Sequence, residues 1–180
     1  MMRSSSAGEY GLALFKLAKE MGAGSEIFND FTAVKSCFEA DSDFERLLGN
    51  PRLTQEERTQ VLDNIFGGKI NVYLLNMLKI LASKRLLGIV DGCWLEYRRL
   101  YCQDNNILPV KVTSAQELSE GQKKKIEESL AEKTGSRILL SCAVDESLIG
   151  GLILEYGGKR YDATVRNRLT GLKKSIIQDY

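Results

Sequence analysis

The side chains that most often carry out chemistry are scarce or scattered in this sequence. The chain of 180 residues contains no histidine, so it has no imidazole to act as an acid, a base or the partner of a nucleophile. Its cysteines stand singly at positions 37, 93, 102 and 142, whereas a zinc site needs clustered thiolates or histidines. Their spacing and the chain length favour reduced thiols over a disulfide framework. We therefore expect no catalytic residue, no cofactor and no metal site.

Two Gly-Gly-Lys strings, at 67–69 and 157–159, resemble fragments of a phosphate-binding loop. Such a loop needs a glycine five residues before the Gly-Lys pair and a serine or threonine directly after the lysine. Those positions hold other residues in both strings, namely Asp63 and Ile70 in the first and Ile153 and Arg160 in the second. The sequence therefore predicts no nucleotide site.

Three acidic residues near the carboxyl end, Asp145, Glu146 and Asp162, are the remaining candidates for acid–base chemistry. Nothing in their spacing brings two carboxylates together. We expect structural roles instead. Asp145 would end a strand, and Asp162 would stand near a helix start, where a carboxylate suits the positive end of the helix dipole.

The charge balance points to protein partners. With 25 basic and 24 acidic side chains the formal net charge is +1, which argues against a nucleic-acid binder. The basic run Lys123–Lys125 is followed by Glu127 and Glu128, a pattern typical of a solvated helix face. No apolar stretch approaches the roughly 18 residues that span a membrane, and the first residues lack the apolar core of a secretory signal. Any membrane association is therefore expected to be indirect.

Residues 1–104 are predicted to form one helix after another. Capping residues, glycine stops and apolar periodicity place six helices at 6–21, 25–39, 42–48, 54–67, 71–86 and 88–103. Short loops between successive helices indicate a six-helix antiparallel bundle.

The apolar arcs of the first and fifth predicted helices are wider than one packing contact needs. At about 100° per residue, the apolar side chains of the first helix cover roughly 200°, and the fifth helix is apolar nearly all round. Two interpretations remain open. Either each helix packs among several neighbours of its own bundle, or part of each arc receives a helix from another protein.

Residues 105–180 are predicted to form a small α/β domain. Alternating patterns indicate strands at 108–113, 137–144, 151–156 and 159–163, with Gly157 and Gly158 forming a tight hairpin turn. Helices are expected at 119–133 and 164–180. The boundary lies in the polar segment 103–109, where Pro109 disfavours helix at the preceding residue. The predicted fold is thus α+β with two domains, 1–104 and 105–180.

The most distinctive string is VDESLIGGLILEYGGKRYDATVRNRL at 144–169. It closely resembles the signature of the ATP synthase delta subunit, whose mitochondrial relative is the oligomycin sensitivity-conferring protein. The matching residues are Asp145, Leu148, Gly150, Gly151, Gly158, Asp162 and Thr164. Thr164 replaces a commoner serine and keeps the capping hydroxyl. Residues 10–20 resemble the family's first helix, with Gly11 where alanine is usual, a change expected to loosen that turn slightly.

The resemblance implies a non-catalytic stator subunit that tethers the catalytic head to the peripheral stalk, so that proton translocation stays coupled to ATP synthesis. The helical domain is expected to bind the amino-terminal helix of an alpha subunit between the first and fifth predicted helices. The groove residues expected by position are Tyr10, Ala13, Leu14, Leu17, Met77, Ile80 and Leu81. The second domain is expected to contact the b subunits, with Gly150, Gly151 and the last helix carrying or supporting that contact.

The same resemblance implies a location on the cytoplasmic side of a bacterial plasma membrane, reached only through the complex. Two alternatives stay open from the sequence. One is a free-standing helical adaptor that binds an amphipathic partner helix. The other is a small enzyme, which would require a convergent acid pair or a ligand pocket.

Overall fold

The structure, a computed structural model, describes residues 2–40, 53–165 and 167. The chain divides into two compact units, Met1–Tyr101 and Cys102–Tyr180. Helices make up the described part of the first unit, and a four-stranded mixed sheet with one packed helix makes up most of the described part of the second. The fold class is therefore α+β.

The described helices of the first unit are α1 (Met2–Glu20), α2 (Gly24–Ala40), α3 (Gln55–Phe66), α4 (Val72–Ser83), a 3-10 helix (Leu87–Ile89) and α5 (Val90–Asp104). A capping box starts α3, because the Thr54 hydroxyl accepts a hydrogen bond from the Glu57 N–H at 3.2 Å and the Glu57 carboxylate accepts one from the Thr54 N–H at 2.8 Å. These bonds satisfy backbone donors that a helix start leaves unpaired.

Helix α4 lies at the centre of the first unit. Its buried side chains are Leu74, Leu75, Met77, Leu78, Leu81 and Ala82, which span an arc of about 160° at about 100° per residue. It contacts α1, α2, α3 and the 3-10 helix. The wide apolar arc of the fifth predicted helix, which is α4, is thus explained mainly by packing inside the unit.

Helices α1 and α5 approach each other closely through small residues. A Cβ added to Gly92 would lie 2.7 Å from the Cβ of Ala7, and one added to Gly11 would lie 2.7 Å from the Cys93 carbonyl oxygen. One turn further along α1, Phe15 meets Tyr97 edge-on at 6.0 Å between ring centroids. Residue numbers rise together along both helices, so α1 and α5 run parallel.

An aromatic cluster joins α2 to α5 in the opposite sense. Phe28 stacks on Tyr101 with ring centroids 4.6 Å apart, and Phe31 packs against Trp94 at 5.3 Å. The Tyr97 hydroxyl donates to the Gly24 carbonyl at 3.0 Å. Later residues of α2 meet earlier residues of α5, so these two helices are antiparallel.

The prediction of a six-helix antiparallel bundle is wrong. The described part of the first unit contains five α-helices and one short 3-10 helix, and the third predicted helix, 42–48, lies outside the described residues. In a bundle of six alternating helices the first and the last would be antiparallel, whereas α1 and α5 are parallel. The physical reason is the small-residue contact between them, which apolar periodicity within each helix does not reveal.

The second unit contains β1 (Ile107–Ser114), α6 (Glu120–Thr134), β2 (Arg137–Val144), β3 (Leu152–Tyr156) and β4 (Lys159–Asp162). The strand order is β2-β1-β3-β4, with β1 and β2 parallel and the other pairs antiparallel. All four predicted strands are present, and their ends agree within one residue. The last predicted helix begins at Val165, and most of it lies outside the described residues.

Side chains on one face of this sheet form a second core with α6. Val110 and Val112 of β1 are buried together with Leu130 of α6. The β3–β4 hairpin turns at Gly157 and Gly158, whose φ angles are +57° and +73°. Two successive left-handed residues are what a two-residue hairpin turn of type I′ requires. The predicted tight turn is confirmed.

Gly11→Ala is expected to destabilise the first unit by about 1–3 kcal/mol, because the new methyl group would overlap the Cys93 carbonyl and force α1 away from α5. The matched control is Gly8→Ala on the same helix, where an added Cβ meets no atom within 4 Å. Urea unfolding followed by fluorescence of the single tryptophan, Trp94, measures both. Equal unfolding midpoints for the two variants would contradict the close contact.

Candidate helix-binding site

One flank of α1 faces α4. The buried stripe of α1 consists of Ala7, Gly11, Leu14 and Ala18. Tyr10, Ala13 and Leu17 all lie to one side of that stripe at about 100° per residue. The Tyr10 hydroxyl accepts a hydrogen bond from the Lys84 ammonium at 3.0 Å. Because Lys84 directly follows α4, this bond turns the Tyr10 flank of α1 towards α4.

The outer surface of α4 carries a stripe spaced by four residues. Val72 is 56% exposed, Asn76 is exposed and Ile80 is 46% exposed, and Lys84 is the next position in the series. On the flank of this stripe that faces away from Tyr10, Lys79 pairs with Asp63 of α3 at 2.6 Å. The stripe therefore lies between α3 and α1, with its Ile80–Lys84 end beside Tyr10.

The two surfaces adjoin at the Tyr10–Lys84 contact. We call the partly exposed strip that they form the α1–α4 groove and define it by Tyr10, Ala13, Leu17, Ile80 and Lys84. Ala13 and Ile80 are exposed, and Tyr10 and Leu17 are half-buried. An exposed apolar surface between two packed helices is the geometry that accepts an amphipathic helix with anchors at three- and four-residue spacing.

The remaining predicted groove residues lie in the core. Leu14, Met77 and Leu81 are 4%, 6% and 0% exposed and belong to the buried cluster of the first unit. These three side chains lie beneath the surface of the α1–α4 groove and cannot contact a partner. Conversely, Lys84 was not predicted, since no sequence pattern links it to Tyr10, which lies 74 positions away along the chain.

Two potentially reactive groups of the first unit, Cys93 and Tyr97, are suppressed by burial, whereas the Cys37 thiol on α2 is exposed. Desolvation raises the pKa of the Cys93 thiol to about 11, and burial also raises the pKa of the Tyr97 phenol. Neither group is ionised at neutral pH, so neither is a nucleophile. Residues 2–40, 53–165 and 167 contain no group of three acidic, cysteine or histidine side chains able to hold a metal ion.

The signature residues of the second unit tie the start of the last helix to the loop before β3. Gly151 has φ +86°, and a Cβ there would lie 2.8 Å from the Thr164 Cα. The Val165 N–H donates to the Gly150 carbonyl at 3.1 Å, and the Ala163 N–H donates to the Leu152 carbonyl at 2.9 Å. Only glycine allows this approach, because a side chain at Gly151 would be both strained and in collision.

Asp162 and Thr164 cap the helix that begins at Val165. The Asp162 carboxylate accepts from the Thr164 hydroxyl at 2.6 Å and from its N–H at 2.9 Å, while the Thr164 hydroxyl accepts from the Asn167 N–H at 3.3 Å. The hydrogen bond from the Thr164 hydroxyl is the main reason that the pKa of Asp162 is lowered. Threonine performs the capping role that serine would perform.

Asp145 ends β2 in a similar turn. Its carboxylate accepts from the Ser147 N–H at 3.0 Å, and its carbonyl accepts from the Leu148 N–H at 3.1 Å. Hydrogen bonds from the side chain and backbone of Ser147 lower the pKa of Asp145. The carboxylates of Asp145 and Asp162 are thus each hydrogen-bonded within their own turn. These bonds serve the two turns and do not link the carboxylates as an acid–base pair.

A cavity of about 460 Å³ lies beside the signature loop. It is lined by Gly150 and Gly151 and by the segment that connects β1 to α6, including Leu118. Ile149, at its edge, is 73% exposed, and Val165 is 41% exposed. Ile149 in the loop and Val165 beside it are therefore large apolar side chains that no described residue of the second unit covers fully.

A family model described as "ATP synthase delta (OSCP) subunit" matches residues 7–176. This chain belongs to the ATP synthase delta (OSCP) family. Delta/OSCP subunits are non-catalytic stator components of ATP synthases, so the chain is a structural subunit and not an enzyme. The resemblance drawn from residues 144–169 is confirmed.

Relatives support the assignment over nearly the full length. ATP synthase subunit delta of Fusobacterium nucleatum is 33% identical over 97% of this chain and 100% of its own length. That of Moorella thermoacetica is 35% identical over 94% of both chains. The chloroplastic delta subunit of Emiliania huxleyi is 34% identical over 89% of both.

A solved structure shares the fold. A chain of the mitochondrial ATP synthase hexamer of Toxoplasma gondii superposes with a TM-score of 0.75 at 18% identity, covering 95% of this chain and 97% of that one. Among the residues that the structure of the delta-family chain describes, no helix is long and apolar enough to cross a membrane.

The cap at Asp162 predicts a pH dependence. Because its pKa is lower in the folded chain than in the unfolded chain, the stability it contributes is present above about pH 4 and is lost as the pH falls through the folded value. We expect Asp162→Asn to flatten the fall in the thermal midpoint between neutral and acid pH. Glu132→Gln, an exposed site on α6, is the control, and circular dichroism is the measurement. An equally steep fall in Asp162→Asn would exclude this contribution.

Proposed function

We propose that this subunit tethers the catalytic head of an ATP synthase to its peripheral stalk, which keeps proton translocation coupled to ATP synthesis. The observation that carries the proposal is the α1–α4 groove, where Ala13 and Ile80 remain exposed beside half-buried Tyr10 and Leu17. A tether needs surfaces that hold partners and has no use for reactive side chains. The suppressed thiol of Cys93 and the locally engaged acids fit that requirement.

In this proposal the groove binds the amino-terminal helix of an alpha subunit. Helix-in-groove recognition draws its affinity from apolar anchors on one face of the bound helix. Leu14, Met77 and Leu81 support the groove from below, since they are packed in the core. Because these core residues hold α1 and α4 in place, the groove is pre-organised, and pre-organisation reduces the entropy lost on binding.

The second unit would bind the b subunits of the peripheral stalk. Ile149 and Val165 are exposed next to the glycine pair, and the bonds from Val165 and Ala163 hold the loop in one conformation. The subunit would lie on the cytoplasmic side of the bacterial plasma membrane and would reach the membrane only through the stalk, with no nucleic acid among its partners. Load on the head would then pass through two protein contacts, one on each unit.

Ala13→Asp is expected to weaken binding of a synthetic peptide from the alpha amino terminus by at least about tenfold, because the carboxylate would be buried without a partner. Ala13 is exposed, so the fold should persist. Isothermal titration calorimetry measures the affinity, and Trp94 fluorescence checks the fold.

The matched control is Leu12→Asp. Leu12 is 38% exposed on the same helix but is turned by about 100° from Ala13, away from the groove. Its affinity for the peptide should equal that of the parent chain. Failure of the folded parent chain to bind the peptide would refute the proposed partner, and equal affinities for both Asp variants would refute the groove.

Ile149→Asp is expected to weaken binding to the soluble part of the b subunits by about tenfold, because a carboxylate in the proposed contact would be buried without a partner. Lys159→Asp introduces the same side chain at the far end of the β3–β4 hairpin and serves as the control. Co-purification of the b fragment with each variant provides the measurement. Undiminished recovery with Ile149→Asp would place the stalk contact elsewhere.

A further inference from the structure

One end of the α1–α4 groove is positively charged. Lys84 and Arg85 are both exposed and follow α4 directly. The Lys84 ammonium donates to the Tyr10 hydroxyl at 3.0 Å and lies 5.7 Å from the centroid of its ring. An ammonium group carries three donors, so this bond holds the charge at the mouth of the groove and leaves two donors for another group.

No carboxylate of the described residues pairs with Lys84 or Arg85; the ion pairs of this part of the chain involve other lysines and arginines. Elsewhere the groove is lined by Ala13, Leu17 and Ile80, which carry no charge. The Lys84 ammonium is therefore held in place by Tyr10, while no carboxylate of the described residues neutralises its charge.

Arg85 closes the carboxyl end of α4, where its N–H donates to the Ala82 carbonyl at 3.1 Å and the Leu86 N–H donates to the Leu81 carbonyl at 2.8 Å. The φ of Arg85 is +56°, a left-handed conformation that glycine would adopt with less strain. The position nevertheless holds a long cation beside Lys84. The Lys84 ammonium at the end of an apolar groove is complementary to a carboxylate at one end of an apolar stripe.

We infer that the helix bound in the α1–α4 groove carries a carboxylate that pairs with Lys84, and that this pair fixes the direction in which the helix lies. The inference rests on the proposed function, because the occupant is the alpha amino-terminal helix. Apolar anchors alone accept a helix in either direction when their spacing is similar. A charge at one end penalises the reversed arrangement, in which the partner's carboxylate would lie over Leu17.

The test is calorimetric titration of the full chain with a synthetic peptide covering the alpha amino terminus, at about 50 mM and about 500 mM salt. Lys84→Gln should bind about three- to tenfold more weakly at low salt and within about twofold of the parent at high salt, where the pair is screened. Lys84→Arg should retain most of the affinity. Lys124→Gln, in the second unit, makes the same change in net charge and should match the parent at both salt concentrations.

Peptides in which each carboxylate is replaced singly by an amide then identify the partner in double-mutant cycles. One replacement should cost affinity against the parent chain and little against Lys84→Gln. If every replacement costs the same against both chains, or if Lys84→Gln binds like the parent at low salt, the inference is wrong although the groove stands. Absence of any binding by the folded parent chain would instead refute the proposed function.

Discussion

The close approach of α1 to α5 is the constraint on which the helical unit depends. Ala7, Gly11 and Gly92 remove side-chain volume where the two helices meet, and the Gly11 position lies against the Cys93 carbonyl. Because the helices are parallel there, Phe15 reaches Tyr97, whose hydroxyl bonds to Gly24 at the start of α2. The expectation that Gly11 merely loosens its turn misses this role: a larger residue would separate α1 from α5.

This constraint also sets which surface of α1 is free. With its small-residue stripe pressed into the unit, α1 turns Tyr10, Ala13 and Leu17 to the side, next to the exposed stripe of α4. One helix thus serves two purposes, since one face completes the core and the adjacent flank borders the groove. The second unit likewise uses one segment for two purposes. Its glycines at 150 and 151 let the start of the last helix approach closely, and they belong to the loop in which Ile149 is exposed.

Much of the second unit could be predicted from local patterns. Alternating residues placed the strands, and Gly157-Gly158 placed the turn, since both depend on neighbours in the chain. The parallel pairing of β1 with β2 joins segments about thirty positions apart and has no local signature of its own. In the helical unit, periodicity identified apolar arcs correctly but not their use. It could not separate Leu14 and Leu81, which are buried, from Ala13 and Ile80, which are exposed.

What the sequence by itself determined is the family, through residues 144–169, together with the secondary structure and the lack of a histidine-based mechanism. These conclusions rest on residue identity and short-range spacing. Only the tertiary structure decided the parallel arrangement of α1 and α5, the division of their apolar residues between core and groove, and the contact of Lys84 with Tyr10. Each of those depends on which surfaces meet after the chain folds, and packing between distant segments is not encoded in the period of any one helix.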